Sequence, residues 1–165
     1  MTTISDIARI VQDTALGNSI AESVYLYPLI ESVHLLGLAV SVGLIVLIDL
    51  RLLGLALTRV PTLVLLKGVR PFSLCGFGVT FASGVLLLIS EASTVVFNPA
   101  FQAKLVFIAL AGANALYFES RLSAQSDSTQ PDAKTSGAIR YLGLLSLVLW
   151  IAVIAFGRLI PNLRA

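Results

Sequence analysis

Four long apolar segments, separated by polar connections, form the main pattern of the chain. They cover about residues 27–50, 68–90, 99–118 and 137–160. A helix needs about 20 predominantly apolar residues, at roughly 1.5 Å per residue, to cross the hydrocarbon core of a bilayer. Each segment reaches this length, so the pattern predicts four transmembrane helices.

A shorter pattern precedes the first apolar segment. Isoleucines recur there at helical spacing, and polar residues occupy most of the other positions; the isoleucines are Ile4, Ile7 and Ile10. This arrangement predicts a short amphipathic helix over about residues 4–15 that lies on the outer surface of the membrane, with Ser5 or Thr3 as its N-cap. The alternative is a frayed N-terminal tail.

The composition indicates lipid as the solvent for most of the chain. Of the 165 residues, 57% are hydrophobic and 12% are charged, and the mean hydropathy is +0.94. Soluble domains contain about 25% charged residues, and a chain of this length could not bury so much apolar surface away from water. We therefore expect an all-α integral membrane four-helix bundle with a short N-terminal interfacial helix, formed as a single membrane domain over residues 1–165.

Charge and cysteine content exclude several classes of function. The formal net charge of +2 is too small to indicate nucleic-acid binding. A single cysteine, Cys75, excludes an intrachain disulfide and a cysteine-cluster metal site. The first residues lack the basic and apolar regions of a signal peptide, so we expect them to remain on the mature protein.

Basic residues cluster in or beside the first and third connections between the apolar segments. They are Arg51, Arg59, Lys67, Arg70, Arg121, Lys134 and Arg140. The second connection, residues 91–98, contains none. Because basic loops tend to stay on the cytoplasmic side, we expect the first and third connections inside the cell and both termini outside, in a bacterial inner membrane.

Several ionisable residues would share one depth in this topology. At about 1.5 Å per residue, His34 lies roughly 10 Å below the outer boundary, and Lys104 lies at a similar depth in the third segment. Glu31 lies one turn above His34, while Glu91 and Arg158 lie at the outer ends of their segments. Intramembrane ionisable residues usually face the bundle interior and mark a functional site. The alternatives are a packing hydrogen bond from His34, a snorkelling Lys104 and an interfacial anchor at Arg158.

Two further charged residues lie at the opposite boundary. Asp49 ends the first apolar segment and Arg70 begins the second. Since neighbouring antiparallel helices would bring them to the same depth, we expect a structural ion pair between them.

The polar residues of the outer half suit a b-type haem. One imidazole, that of His34, can hold the iron as its metal ligand. Gly37 and Ser41 on the same helix would leave room for the macrocycle, and Lys104 and Arg158 would pair with the propionates. A copper or zinc site is poorly supplied, because the chain has one histidine, one cysteine and only the initiator methionine.

Glu31 is expected to support the haem ligand. It would accept a hydrogen bond from the second ring nitrogen of His34, or from Lys104 or Arg158. A second axial ligand would be Lys104, a small molecule or the histidine of a second protomer.

Three motifs carry a resemblance to known families. "Y-P-x-x-E-x-x-H-x-x-G-x-A" at residues 27–39, "D-L-R-L-L-G" at residues 49–54 and "F-G-R-L-I" at residues 156–160 resemble a family of uncharacterised bacterial four-helix membrane proteins, a domain of unknown function. More distantly, His34 and the motif "N-P-x-F-x-x-K-L" around Lys104 resemble CopD-type copper-resistance membrane domains and HemJ-type haem-binding protoporphyrinogen oxidase. The HemJ resemblance implies that His34 and Lys104 form a functional pair with bound haem, and the CopD resemblance implies copper traffic.

The expected function is haem b binding with electron transfer that involves a quinone or a periplasmic partner. Two alternatives belong to other classes: a non-catalytic membrane anchor or accessory subunit, and a transporter of a small ligand or metal. The expected partners are the lipid bilayer and either a homo-oligomer or a redox protein, with no nucleic acid.

Overall fold

A computed structural model of the protein describes residues 3–126 and 137–163, with the backbone alone for residues 122–126. The described chain is entirely helical, with no strand. In chain order the helices are α1 (Ile4–Gln12), α2 (Ala15–Glu22), α3 (Leu26–Leu53), α4 (Thr62–Ser90), α5 (Ala92–Val95), α6 (Pro99–Ser126) and α7 (Gly137–Leu159), followed by a 3-10 turn at Ile160–Leu163. The predicted all-α class is confirmed.

Four of these helices, α3, α4, α6 and α7, are long and apolar enough to cross a membrane. Large apolar side chains such as Leu36, Phe81, Leu116 and Ile151 are more than 60% exposed on the bundle surface. A soluble protein rarely exposes such an extensive apolar surface, so these side chains face lipid. The chain is a multi-pass membrane protein with a helical bundle.

Two helix ends differ from the sequence prediction. Helix α4 begins at Thr62, directly after Pro61, and not near residue 68; helix α6 continues to Ser126, well beyond residue 118. The α6 extension, ESRLSAQS, is polar, so hydropathy does not register it, whereas the α4 extension, TLVLLK, is largely apolar and is bounded by Pro61. Helix α3 ends where Gly54 adopts a left-handed φ of 76°, a conformation that glycine adopts without a steric penalty.

The N-terminal segment forms two helices where one was predicted. Helix α1 ends at Gln12, and Thr14 begins helix α2 by accepting a hydrogen bond from the amide of Gly17 at 3.2 Å. Thr3, one of the two expected caps, precedes α1. The Gln12 side-chain oxygen accepts from the amide of Ser93 at 2.9 Å and from its hydroxyl at 2.7 Å, which ties α1 to α5.

The spanning helices form two pairs. Helix α3 packs against α4 and α6 against α7, and contacts between α3 and α7 join the pairs. Helices α3 and α4 cross closely: a Cβ added to Gly76 would lie 2.9 Å from the Ser41 amide nitrogen and 3.0 Å from the Gly37 carbonyl oxygen. Small residues permit this approach between helices in lipid.

A central apolar layer divides the bundle into two halves. Its buried residues are Val42, Ala111, Leu149, Trp150 and Val153. We call the end where α3 begins and α7 ends the terminal end, because α1, α2 and α5 also lie there. The opposite end, where α3 leads to α4 and α6 leads to α7, is called the loop end. One cavity lies on each side of the apolar layer.

Candidate functional site

The terminal end contains a cavity of about 240 Å³ between the two helix pairs. Its charged and imidazole lining comes from α3, α6 and α7 and from the residue that directly follows α4: Glu31, His34, Glu91, Lys104 and Arg158. The structure therefore brings together the five polar residues that the depth argument grouped. The remaining lining is mainly apolar, as in pockets that enclose part of a ligand and orient it with a few polar groups.

His34 is held by helix α4. Its Nδ1 lies 2.9 Å from the carbonyl oxygen of Thr80 and 3.2 Å from the hydroxyl of Ser83. A carbonyl oxygen can only accept, so Nδ1 carries the proton and donates. Within the described residues, Nε2 has no hydrogen-bond partner. In the neutral ring, Nε2 therefore presents a lone pair for a metal or a hydrogen-bond donor.

This arrangement corrects the expected role of Glu31. The Thr80 carbonyl, and not the Glu31 carboxylate, is the partner of the second ring nitrogen of His34. Glu31 is exposed at the rim of the cavity. The physical reason is the rotation of helix α3, which turns His34 toward α4 while Glu31, three residues earlier, points more to the open side.

Two glycines shape the cavity around the polar side chains. A Cβ added to Gly84 would lie 3.1 Å from Cε1 of His34, and one added to Gly157 would lie 3.5 Å from Nζ of Lys104. The imidazole thus lies directly against α4, and the lysine chain lies along α7. Thr80, Ser83 and Gly84 were not among the predicted site residues, although their spacing on α4 places them on one side of that helix.

Gly37 and Ser41 do not leave room for a macrocycle. A Cβ on Gly37 would lie 2.7 Å from the Thr80 hydroxyl and 3.1 Å from the Gly76 carbonyl oxygen. Ser41 is fully buried and donates to the Gly37 carbonyl at 2.9 Å. Both residues serve the crossing of α3 and α4, which corrects the expectation that they line a haem site.

The two cations of the cavity have no acidic partner at close range. Lys104 and Arg158 form no salt bridge of 4 Å or less within the described chain. Lys104 is partly buried, while Arg158 is exposed at the end of α7. They therefore give the cavity a positive side suited to an anionic group, such as a carboxylate. The described residues contain no group of three or more metal-ligating side chains.

At the loop end, the predicted ion pair between Asp49 and Arg70 is wrong. Arg70 pairs with Glu119 of α6 at 2.6 Å, and no salt bridge joins Arg70 to Asp49 in the described structure. The reason lies in the helix lengths: α6 extends past residue 118, so Glu119 remains helical and faces α4. Asp49 instead lies in a second cavity, near the Ser146 side chain.

Comparisons with known proteins identify the family. A family model described as a family of unknown function, DUF6644, matches residues 15–162. The chain belongs to this family, which agrees with the resemblance to a four-helix membrane family of unknown function. A search of curated proteins and a search of solved structures returned no match.

Proposed function

We propose that this membrane protein binds a b-type haem at the terminal cavity, with His34 as an axial ligand, and transfers electrons between the haem and a quinone or a periplasmic partner. The observation that carries the proposal is the orientation of the His34 ring. Its Nδ1–H is donated to the Thr80 carbonyl, and Nε2, beside the cavity, has no hydrogen-bond partner in residues 3–126 and 137–163. Ligating histidines commonly have their second ring nitrogen fixed in this way.

The donor set fits a haem, whereas the enclosed space is small. Lys104 of α6 and Arg158 of α7 line the same cavity as His34 and supply positive charge for propionates. The cavity of about 240 Å³ is below the range of roughly 300–1,000 Å³ that encloses a drug-sized ligand. Only part of a macrocycle would be enclosed, so the open side of the cavity would have to accommodate the rest.

The residues of the chain have separate tasks in this proposal. Thr80 fixes the tautomer and direction of His34, Lys104 and Arg158 hold anionic groups, and Glu31 adds a negative charge at the rim. When bound, a haem supplies a one-electron carrier whose reduction potential depends on its axial ligand and nearby charges. The short-motif resemblance to HemJ-type proteins, in which a histidine and a lysine act together with haem, agrees with the shared cavity of His34 and Lys104.

An absorption spectrum of protein purified from haem-supplied cells tests the proposal. We expect a Soret band and reducible α and β bands, all lost in His34→Ala. Lys104→Ala should weaken haem retention, whereas Lys67→Ala, a lysine exposed at the loop end, should not. Glu31→Gln should keep haem and shift its reduction potential. A colourless wild-type protein, or an unaltered spectrum in His34→Ala, would refute the ligand role.

A second candidate function is that of a non-catalytic anchor or accessory subunit. The hydrogen bonds from His34 to Thr80 and Ser83 favour it, since they connect α3 to α4 without a ligand. A colourless protein in which His34→Ala lowers thermal stability would favour this function over haem binding.

We also propose that the membrane is a bacterial inner membrane and that both termini lie outside the cell. The first connection, the end of α6 and the start of α7 lie at the loop end, and the described basic residues there favour a cytoplasmic location; they are Arg51, Arg59, Lys67, Arg70, Arg121 and Arg140. Lys134 lies outside the described residues. In a Cys75→Ser background, an impermeant thiol reagent should label Ser19→Cys in intact cells but not Thr58→Cys. Both positions are exposed. The reverse labelling would invert the topology.

A further inference from the structure

A second cavity, of about 200 Å³, lies at the loop end of the bundle. All four spanning helices line it, and most of its wall is apolar, including Phe77 and Trp150. Apart from the ion pair of Arg70 and Glu119, four polar side chains interrupt this wall: Asp49, Ser73, Asn114 and Ser146. Each comes from a different helix, so the bundle itself gathers them.

Asp49 is the most unusual of these residues. It is 4% exposed, and its Oδ2 atom has no hydrogen-bond partner among the residues that the structure describes. Ser146 of α7 lies within reach of the carboxyl group. The cation nearest in the lining, Arg70, is already paired with Glu119. An isolated buried carboxylate is strongly disfavoured unless a positive charge or hydrogen-bond donors compensate it.

Asn114 presents a second unsatisfied acceptor to the same cavity. Its Nδ2 donates to the carbonyl oxygen of Leu142 at 3.2 Å, which fixes the orientation of the amide. The Oδ1 atom is therefore the atom left over, and it is buried with no hydrogen-bond partner in the described part of the chain. Buried polar atoms in native proteins almost always have a partner. Two buried acceptors that line one cavity indicate an occupant that is cationic or rich in donors.

We propose that this cavity binds one monovalent cation, held by Asp49 Oδ2 and Asn114 Oδ1 with help from the hydroxyl oxygens of Ser73 and Ser146. Carboxylate, amide and hydroxyl oxygens are the ligands that hard cations prefer. Arg70 and Glu119 neutralise each other, so Asp49 gives the site a charge of −1. A monovalent ion cancels this charge, whereas a divalent ion would leave a net positive charge in the low-dielectric interior.

The unit positive charge can come from a sodium ion or from a proton on Asp49. The hydroxyl of Ser73 donates to the Ser41 carbonyl at 3.3 Å, so its oxygen lone pairs are free to coordinate an ion. The two sources are distinguishable because a proton converts the carboxylate to a carboxylic acid, whereas a sodium ion leaves it ionised. The site is independent of the haem proposal, which concerns the other end of the bundle.

Binding of radioactive sodium to the purified full-length protein, in choline buffer at neutral pH, tests the proposal. We expect saturable binding of about one ion per chain, weakened at least tenfold in Asp49→Asn and also reduced in Asn114→Ala. Glu31→Gln removes an acidic charge at the other cavity and should bind sodium as the wild type does. Saturable binding that Asp49→Asn leaves unchanged would overturn the proposal.

Infrared spectroscopy of the same samples shows whether the Asp49 carboxyl group is protonated or ionised. If the wild type binds no sodium but shows a protonated-carboxyl band that Asp49→Asn removes, a proton on Asp49 supplies the charge and the cation site is overturned. No sodium binding together with an ionised Asp49 would refute it. If Asp49→Asn does not fold, Asn114→Ala keeps the carboxyl group and still reports on the site through its sodium affinity or through a shift of the Asp49 band.

Discussion

The imidazole of His34 on α3 donates its Nδ1–H to the main-chain carbonyl of Thr80 on α4, at 2.9 Å. A main-chain carbonyl inside a helix ordinarily accepts hydrogen bonds from groups of its own helix. The Thr80 carbonyl also accepts one from a side chain of the neighbouring helix. The bond determines which ring nitrogen remains for chemistry. It also makes the ring sensitive to the surface of α4 beneath it, where Gly84 lies.

We expect Gly84→Ala to displace the His34 ring. The new methyl group would lie 3.1 Å from Cε1 of His34, closer than an ordinary van der Waals contact, so the ring or the helix must move. NMR of the imidazole nitrogens should show a weaker Nδ1–H hydrogen bond. Gly157→Ala is the matched control, because its methyl would meet Lys104 at 3.5 Å, an ordinary contact. Equal spectra for both variants would contradict this reading.

The crossing of α3 and α4 gives a second prediction. Gly76→Ala should destabilise the protein by about 1–3 kcal/mol, the usual range for overpacking. Its methyl would meet the Ser41 amide and the Gly37 carbonyl at 2.9 and 3.0 Å, and backbone atoms cannot rotate away. Gly78→Ala, two residues along the same helix, meets nothing within 4 Å and should leave the unfolding midpoint in detergent nearly unchanged. If Gly78→Ala lowered the unfolding midpoint more than Gly76→Ala, the close contact between α3 and α4 would not lie at Gly76.

The Arg70–Glu119 pair should contribute little to stability. The two side chains are 58% and 39% exposed, and exposed ion pairs contribute only about 0–1 kcal/mol. A double-mutant cycle with Arg70→Ala and Glu119→Gln, read by thermal unfolding, should give a coupling free energy in that range. The parallel cycle of Arg70→Ala with Asp49→Asn should give a coupling close to zero. Strong coupling to Asp49 would restore the ion pair expected from the sequence.

The start of α1 should respond to acid through Asp6. The hydroxyl and amide of Thr3 donate to the Asp6 carboxylate at 2.6 and 2.9 Å, and these hydrogen bonds hold the pKa of Asp6 below its usual 3.8. Because the folded pKa is lowered, the stabilisation is present above about pH 3.8 and is lost as the pH falls through the lowered pKa. A carboxyl-carbon NMR titration should show this midpoint, and Thr3→Ala should raise it. A wild-type midpoint at or above 3.8 would show that the cap is not formed in solution.

The four spanning helices and the depth of their polar residues could be predicted from the amino-acid sequence. Helical rise is fixed at about 1.5 Å per residue, and successive spans alternate in direction. Those two constraints suffice to gather His34, Lys104 and Arg158 at one end of the bundle. They also bring Asp49 and Arg70 to the other end. The cap at Thr3 was equally local, since it depends on residues within one turn of α1.

The direction in which each side chain faces depends on the packing of the helices and could not be predicted from the sequence. In a soluble helix the apolar stripe reports the buried face, but in lipid both the core and the solvent are apolar, so that signal disappears. The rotation of α3 therefore assigned Gly37 and Ser41 to the contact with α4 and gave His34 the carbonyl of Thr80 as its partner. Because α6 extends beyond residue 118, Glu119 forms the ion pair with Arg70. Asp49 therefore lines the second cavity without a salt bridge to Arg70. The depth of a residue in the membrane follows from its position along the helix. The direction in which its side chain points around the helix axis follows from packing against helices that are distant in sequence.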